Sequence, residues 1–356
     1  MFLRSLTISI FFLILSNPIF SNDIKSISAS FETPQVPEDG NADDPAIWFN
    51  KVTPESSIIF GTDKYRGIYT YNLKGQVIGF SESGRVNNVD LRSLKDSNTN
   101  KFKTFIFGSN GTNNSLDLWI YSDEVIHQAS LNNNFSLSQK SHVSVKTNFL
   151  SYGICAGHDK ELGIIAFVTE AMGSRVQLWQ YLNNSLSLIK TFDNENAYES
   201  EGCVYDDENR TLFISEENER GVIRAYKLFN ELDFNKPEII DTREGNITGD
   251  PEGLSILKIN KKDGYLIASS QGNSTFNIYQ RNAPYTFINK FSVISNEIID
   301  GVSDTDGIDI LNTYLNKDFP SGILVVQDGK NTGEQNVSKE NFKYLSLQDL
   351  IKKLDL

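Results

Sequence analysis

Short apolar-rich runs recur along this chain, each led by a polar or acidic residue and a Gly, Pro or other small step. The leading runs are Asp44-Pro-Ala-Ile-Trp48, Asn88-Val-Asp-Leu-Arg92, Tyr152-Gly-Ile-Cys-Ala156, Glu201-Gly-Cys-Val-Tyr205, Glu252-Gly-Leu-Ser-Ile256 and Asp306-Gly-Ile-Asp-Ile310, with heads spaced 44, 64, 49, 51 and 54 residues apart. Each is followed by a second apolar run that ends in polar residues, as in Ile58-Ile-Phe-Gly-Thr-Asp-Lys64 and Leu212-Phe-Ile-Ser-Glu-Glu217. A third run alternates and usually ends near Tyr, as in Leu116-Asp-Leu-Trp-Ile-Tyr121. Period-two alternation predicts strands with one buried face, because successive side chains leave a strand on opposite sides. Fourth strands are visible in the first five units, such as Val77–Phe80 and Phe287–Phe291, but the sixth unit runs out of chain after its third.

The segment Ser26–Phe31 before the first unit offers the missing strand. Units of about 50 residues with four strands each are the signature of a propeller, whose closure protects strand edges. The expected fold is therefore all-β, a six-bladed β-propeller with the last blade closed by the N-terminal strand; a β-sandwich is the competing all-β solution. The Asn-, Ser- and Lys-rich stretch Ser122–Leu150 is expected to hold one strand and an extended loop. The tail Leu347–Leu356 is expected to be a short helix.

Residues 1–21 read as a signal peptide: Arg4, the mostly apolar Leu6–Leu15, then Pro18 and a small residue at Ser21. The apolar run is short for a membrane span. Residues 22–356 are thus expected to be one exported domain, secreted or periplasmic, monomeric and not membrane-bound after cleavage. The formal charge of −13 disfavours nucleic acid as a partner. The three histidines, His127, His142 and His158, are scattered and show no zinc spacing.

A propeller brings equivalent strand ends to one face. The heads then converge Asp43, Asp44, Glu201, Asp250, Glu252, Asp300, Asp304 and Asp306, with Lys64, Glu216, Glu217 and Asp328 arriving from second strands. Acidic heads could simply cap strands, one per blade. Doubled acids at Asp43-Asp44, Glu216-Glu217 and Asp250-Pro-Glu252 exceed that need, and so does the run Asp300–Asp306. Carboxylates crowded together repel unless cations lie between them, and an all-oxygen donor set suits calcium. Lys64 in this acidic rim, and Arg175 and Arg220 at the starts of third strands, either neutralise carboxylates or meet an anionic substrate.

The segments Ala42–Trp48, Asn87–Arg92, Tyr152-Gly153, Ser200–Gly202, Glu252–Leu254, Ser269–Ser274, Ser303–Asp309 and Gln327–Gly329, in this order over nearly the whole chain, resemble the β-propeller phytases of the 3-phytase type. The resemblance implies a phosphomonoester hydrolase that releases phosphate from myo-inositol hexakisphosphate, with several calcium ions and in-line attack by a calcium-bound water. It implies Asp44, Glu201, Glu217, Asp250, Glu252, Asp300 and Asp306 as calcium carboxylates, with Asp43 beside them. Lys64 and Tyr152 match residues that contact substrate phosphates; Glu217, Asp44, Asp306 and Lys64 are the expected catalytic set.

Three basic positions of that pattern are absent: Tyr65, Gly111 and Glu170-Ala-Met172 stand where cations are expected, and Arg175 or Arg220 could compensate. Cys155 and Cys203 fall on innermost strands of consecutive blades, near enough for a disulfide or for two buried thiols. Two other classes compete with the phosphatase: a propeller lactonase or esterase with one catalytic calcium, and a binding propeller that uses calcium for stability.

Overall fold

The computed structural model describes residues 24–37, 40–96, 99–218, 220–228, 232–332 and 339–356, so the expected signal peptide lies outside the described residues. The strands form six sheets. Blade one runs Ala42–Trp48, Ile58–Asp63, Gly67–Asn72 and Val77–Ser81, from the innermost strand outward. Blades two to five repeat this antiparallel order from innermost strands Val86–Lys95, Ser151–Asp159, Cys203–Asp206 and Pro251–Lys258; blade six starts from Ile308–Leu311. The architecture is the six-bladed β-propeller that the repeats predict.

Closure differs in one detail. The expected single strand Ser26–Phe31 is two short strands that serve different blades. Lys25–Ile27 pairs in parallel with Phe287–Val293 and adds a fifth strand to blade five. Phe31–Glu32 pairs antiparallel with Lys339–Ser346 and gives blade six its outer strand. The N-terminal segment therefore closes the last blade and also ties it to its neighbour.

The core is divided among the seams between blades. One buried cluster joins blades one and two through Trp48, Phe60, Val89 and Trp119, and another joins six and one through Ile59, Tyr71, Val325 and Phe342. The seam between five and six also packs the C-terminal helix Leu347–Leu354 through Leu347, Leu350 and Leu354. Each blade thus buries both faces against its neighbours, and the seams join the six sheets into one ring.

The stretch after Ser122 departs from expectation. It holds a helix, Asp123–Leu131, before the strand Val143–Lys146. The Ser122 hydroxyl accepts from the Val125 N–H, and Asp123 and Glu124 occupy the first turn, where the helix dipole favours acids. Cys155 and Cys203 form a disulfide with Cα atoms 5.6 Å apart, joining the innermost strands of blades three and four.

Candidate active site

Local backbone irregularity aims the site residues. In blades one, two, three and five the innermost strand loses register at its first residues: between Ala42 and Pro45, Val86 and Val89, Ser151 and Ile154, and Pro251 and Leu254. These bulges contain Asp43 and Asp44, Asn87 and Asn88, Tyr152, and Glu252. A bulge redirects side chains that a regular strand would point along its two faces. In blades four and six the heads Glu201 and Asp306 lie just before the innermost strand begins. A Cβ on Gly153 or Gly202 would stand 1.9 Å from the carbonyl oxygen of Glu201 or Glu252, the head of the next blade. Glycine after a head thus lets adjacent blades meet closely enough for their carboxylates to converge.

One carboxylate oxygen from each of Glu201, Glu217 and Glu252 lies within 4.8 Å of the other two. The Lys64 ammonium is 2.9 Å from Asp43 Oδ1 and 3.3 Å from Glu201 Oε1. The Tyr152 hydroxyl donates to Glu217 Oε2 at 3.4 Å. Asn87 donates to Glu201, and Gln271 donates to Asp306 Oδ1 at 2.7 Å. Among the described residues, three buried oxygens of this rim have no hydrogen-bond partner: Asp43 Oδ2, Glu217 Oε1 and Glu252 Oε2. The rim therefore brings five carboxylates, Asp43, Glu201, Glu217, Glu252 and Asp306, around one ammonium.

The charges respond accordingly. Burial, then Glu201 and Glu199, pushes the Glu217 carboxyl up to about 10. Burial together with Glu217 and Glu201 raises Glu252, and burial together with Glu201 raises Asp43. Asp306 is pushed up to about 6, chiefly by burial and against the pull of Lys64. Glu201 goes the other way: burial opposes its ionisation, but Lys64, Tyr152 and Asn87 outweigh it and hold it low. A single ammonium holds one carboxyl low here, while burial and mutual repulsion raise the other four.

The remaining expected residues sit apart from this cluster. Asp44 turns into the central channel, where its Oδ2 accepts from the Val89 N–H at 3.0 Å and where Asp90 and Asp309 also lie. Asp250 is paired with Arg243, which also donates to the Glu217 carbonyl at 2.9 Å. Asp300 is bound to the Lys343 ammonium and to Thr332. Arg175 pairs with Glu170 through Nε at 2.8 Å and lies over the Phe149 ring, and Arg220 is exposed on a turn.

A groove of about 210 Å³ shares Lys64 and Tyr152 with the acidic cluster and is completed by Arg85, Asn87, Ser151 and Met172, among others, but by neither Arg175 nor Arg220. Sequence reasoning gave no role to Asn87, Gln271, Arg243 or Arg85. Asn87 and Gln271 lie inside motifs that were visible; Arg243 and Arg85 stand on connections outside them.

Comparisons with known proteins give the family and the fold. The family model described as Phytase matches residues 5–356. The 3-phytase of Bacillus subtilis (strain 168) is 32% identical over 338 residues, which cover 92% of this chain and 85% of that protein. The solved structure of a luciferin-regenerating enzyme superposes with a TM-score of 0.53 at 9% identity, covering 91% of this chain and 95% of that one, a likeness of fold alone. With a family match over nearly its whole length and a relative of this identity and coverage, the chain belongs to the phytase family of hydrolases.

Proposed function

We propose that this protein is a calcium-dependent phosphomonoester hydrolase that releases phosphate from phytate at the acidic rim. The observation that carries the reading is the convergence of Glu201, Glu217 and Glu252 from two blades, with buried oxygens of Glu217 and Glu252 left unpartnered. The donor set is oxygen only and carries more negative charge than Lys64 can balance, which fits a hard divalent cation with six to eight oxygen ligands. Asp43, Glu201, Glu217, Glu252 and Asp306 would hold such ions at the rim, and Asp44 would do so in the channel. Bound calcium would supply positive charge to the phosphoryl oxygens and lower the pKa of an attacking water.

The chain's own groups do the rest. Lys64 and Tyr152 share the groove with the cluster and would bind and orient the phosphate being transferred. Glu217, with Oε2 held by Tyr152, would offer Oε1 to the ion, and the proton released by the attacking water passes to solvent. Water oxygen bonds to phosphorus as the ester P–O bond opposite breaks, and the departing alkoxide takes a proton from solvent. No covalent enzyme intermediate is required. Asp250 and Asp300, paired with Arg243 and Lys343, stand outside this donor set.

Export belongs to the same reading. It is supported by the Cys155–Cys203 disulfide, a feature of oxidising compartments. Among the described residues no helix is long and apolar enough to cross a membrane.

The test is phosphate release from phytate by residues 22–356, with excess calcium and then with a chelator. Release should vanish on chelation and return when calcium is restored. Release that survives chelation would overturn the calcium dependence, and no release with calcium present would overturn the hydrolase reading.

A further inference from the structure

Near the end of its second strand each blade carries a hydroxyl or amide at an equivalent place: Thr62, Ser109, Thr169, Ser215, Ser269 and Gln327. All are buried, and beneath the acidic rim most of them tie one blade to the next. Ser109 donates to the carbonyl of Tyr152, Thr169 to that of Ser200, Ser269 to that of Asp306 at 2.9 Å, and the Gln327 amide to that of Ala42 at 3.1 Å. Each acceptor belongs to the head of the following blade. Thr62 differs and stays on its own head, Asp44.

Ser215 is the member of this girdle that meets the rim glutamates. It stands in the strand Thr211–Glu216, just before Glu216 and Glu217. Its N–H donates at 2.8 Å to the carbonyl of Gly202, the neighbour of Glu201, and its hydroxyl lies 3.0 Å from the same oxygen. The hydroxyl donates to the Glu252 carbonyl at 2.5 Å. Glu252 sits in the bulge between Pro251 and Leu254, which takes its backbone out of the regular ladder, and the serine supplies a partner there. Gly202 makes the approach possible, since a Cβ on it would stand 2.3 Å from Ser215 Oγ. One buried side chain thus holds the backbone beside Glu201 and Glu252 and leads directly into Glu217.

We propose that Ser215 is a positioning residue whose hydroxyl sets the spacing of Glu201, Glu217 and Glu252, and through it the affinity of the rim for calcium. The ion is taken from the hydrolase reading above; the spacing rests on this chain's own contacts. Carboxylates that repel one another stay together only where their backbones are held. Groups behind metal ligands fix the orientation of those ligands, and their loss costs about 10- to 100-fold in metal affinity.

The experiment titrates calcium calorimetrically into metal-stripped parent protein, Ser215→Ala, Ser215→Thr and Ser57→Ala, with Glu217→Gln marking the part of the uptake that belongs to the rim. Ser215→Ala should weaken that part by about 10- to 100-fold. Ser215→Thr should restore it, because Thr169 holds the equivalent place between Gly153 and Ser200 in the neighbouring blade. Ser57 is equally buried, accepts from the Asn50 N–H at 3.0 Å and donates to the Pro54 carbonyl at 2.7 Å, at the far end of blade one. Its alanine variant also loses a buried hydroxyl, yet its calcium uptake should match the parent's. Equal uptake by Ser215→Ala and the parent, or an equal loss in Ser57→Ala, would overturn the proposal. Should Ser215→Ala not fold, Ser215→Cys, whose thiol donates only weakly, carries the same expectation at smaller size.

A crystal structure of metal-free Ser215→Ala separates this inference from the calcium reading, since it needs no ion. The carboxylate oxygens of Glu201, Glu217 and Glu252 should no longer lie within 4.8 Å of one another, as they do in the parent. An unchanged trio refutes the positioning role even if calcium binds. A parent that takes up no calcium refutes the calcium reading, while a displaced trio in the variant still supports the positioning.

Discussion

Two acidic clusters lie at the ends of this chain's strands, and they solve the same electrostatic problem in opposite ways. At the rim, Asp43, Glu201, Glu217, Glu252 and Asp306 surround Lys64 alone, and buried oxygens remain without partners. At the edge of blade six, Glu32, Asp300 and Asp328 surround Lys343, whose side chain is fully buried. There the ammonium also donates to Asn331 Oδ1 at 2.9 Å, Asp300 Oδ2 accepts from the Thr332 N–H at 2.7 Å, and Asp328 Oδ1 accepts from the Ser303 N–H at 2.9 Å. Burial works against ionised Asp300, yet Lys343 and Thr332 hold its carboxyl low, whereas most rim carboxyls are driven up. One cluster carries its cation in the sequence; the other leaves room for cations from outside. The first joins the N-terminal segment, through Glu32, to the last blade, and a permanent charge suits that structural task.

The largest effect should come from breaking the internally neutralised cluster. Lys343→Met leaves three carboxylates facing one another without a counter-charge, and removing one partner of a buried ion pair costs about 3–5 kcal/mol. Urea unfolding should show that loss. Phosphate release measured well below the melting temperature should persist, because the rim is untouched. The variant exposes an all-oxygen cage, so calcium should restore more stability to it than to the parent. A variant as stable as the parent would mean that Lys343 does not hold the closure.

Next is the rim. Glu217→Gln keeps the shape, the contact with Tyr152 and the burial, but removes the negative charge offered to the ion. Phosphate release from phytate should fall at least about 100-fold, close to 2.7 kcal/mol of barrier, while the melting temperature of the metal-free protein should stay level or rise. It should not fall, since Glu217 is a carboxyl whose charge burial disfavours. Loss of the fold together with activity would instead make Glu217 a structural residue.

The two clusters also differ in how far the sequence reveals them. Blade count and the acidic rim were readable because period-two strands repeat and their heads fall at equivalent places. What aims those heads was not readable: a bulge is a backbone event, and Asp43, Asn87, Tyr152 and Glu252 owe their directions to it. The resemblance placed Asp300 with the calcium carboxylates, and nothing local signals that Lys343, 43 residues later, reaches it. Glu32 is further still, 311 residues from Lys343. The helix Asp123–Leu131 did have a local signal, Ser122 followed by two acids, but the surrounding Asn- and Ser-rich composition suggested a loop. Ser26–Phe31 reads as the missing strand of the last blade, yet its division between two blades depends on partners at residues 291–293 and 343–344.

The smallest effect is the one that reads both kinds of carboxyl in a single curve: stability against pH for the protein held in chelator. Asp309, in the channel with Asp44, is pushed up to about 7 by burial and by Asp90, against its bonds from the Ile47 and Ile310 N–H groups and the charge of Arg92. A raised folded-state pKa means stability that is complete below the unfolded value near 3.8 and is lost as pH rises through about 7. Thermal stability should therefore weaken as pH rises from about 4 to about 7 and level off above that.

Asp300 has the opposite sign. Its lowered pKa gives stability that is present above the unfolded value and lost as pH falls below it, so the Lys343 cluster should fail on the acid side. Asp328 dilutes that limb, because burial raises it despite Lys343. Lys343→Met should flatten the acid limb and leave the alkaline one, whereas Asp309→Asn should leave the acid limb and remove only its own share of the alkaline one, since the raised rim carboxyls still contribute. If both variants shift the curve equally at every pH, the two kinds of carboxyl are not set by separate surroundings, and the contrast between an internal cation and an external one fails.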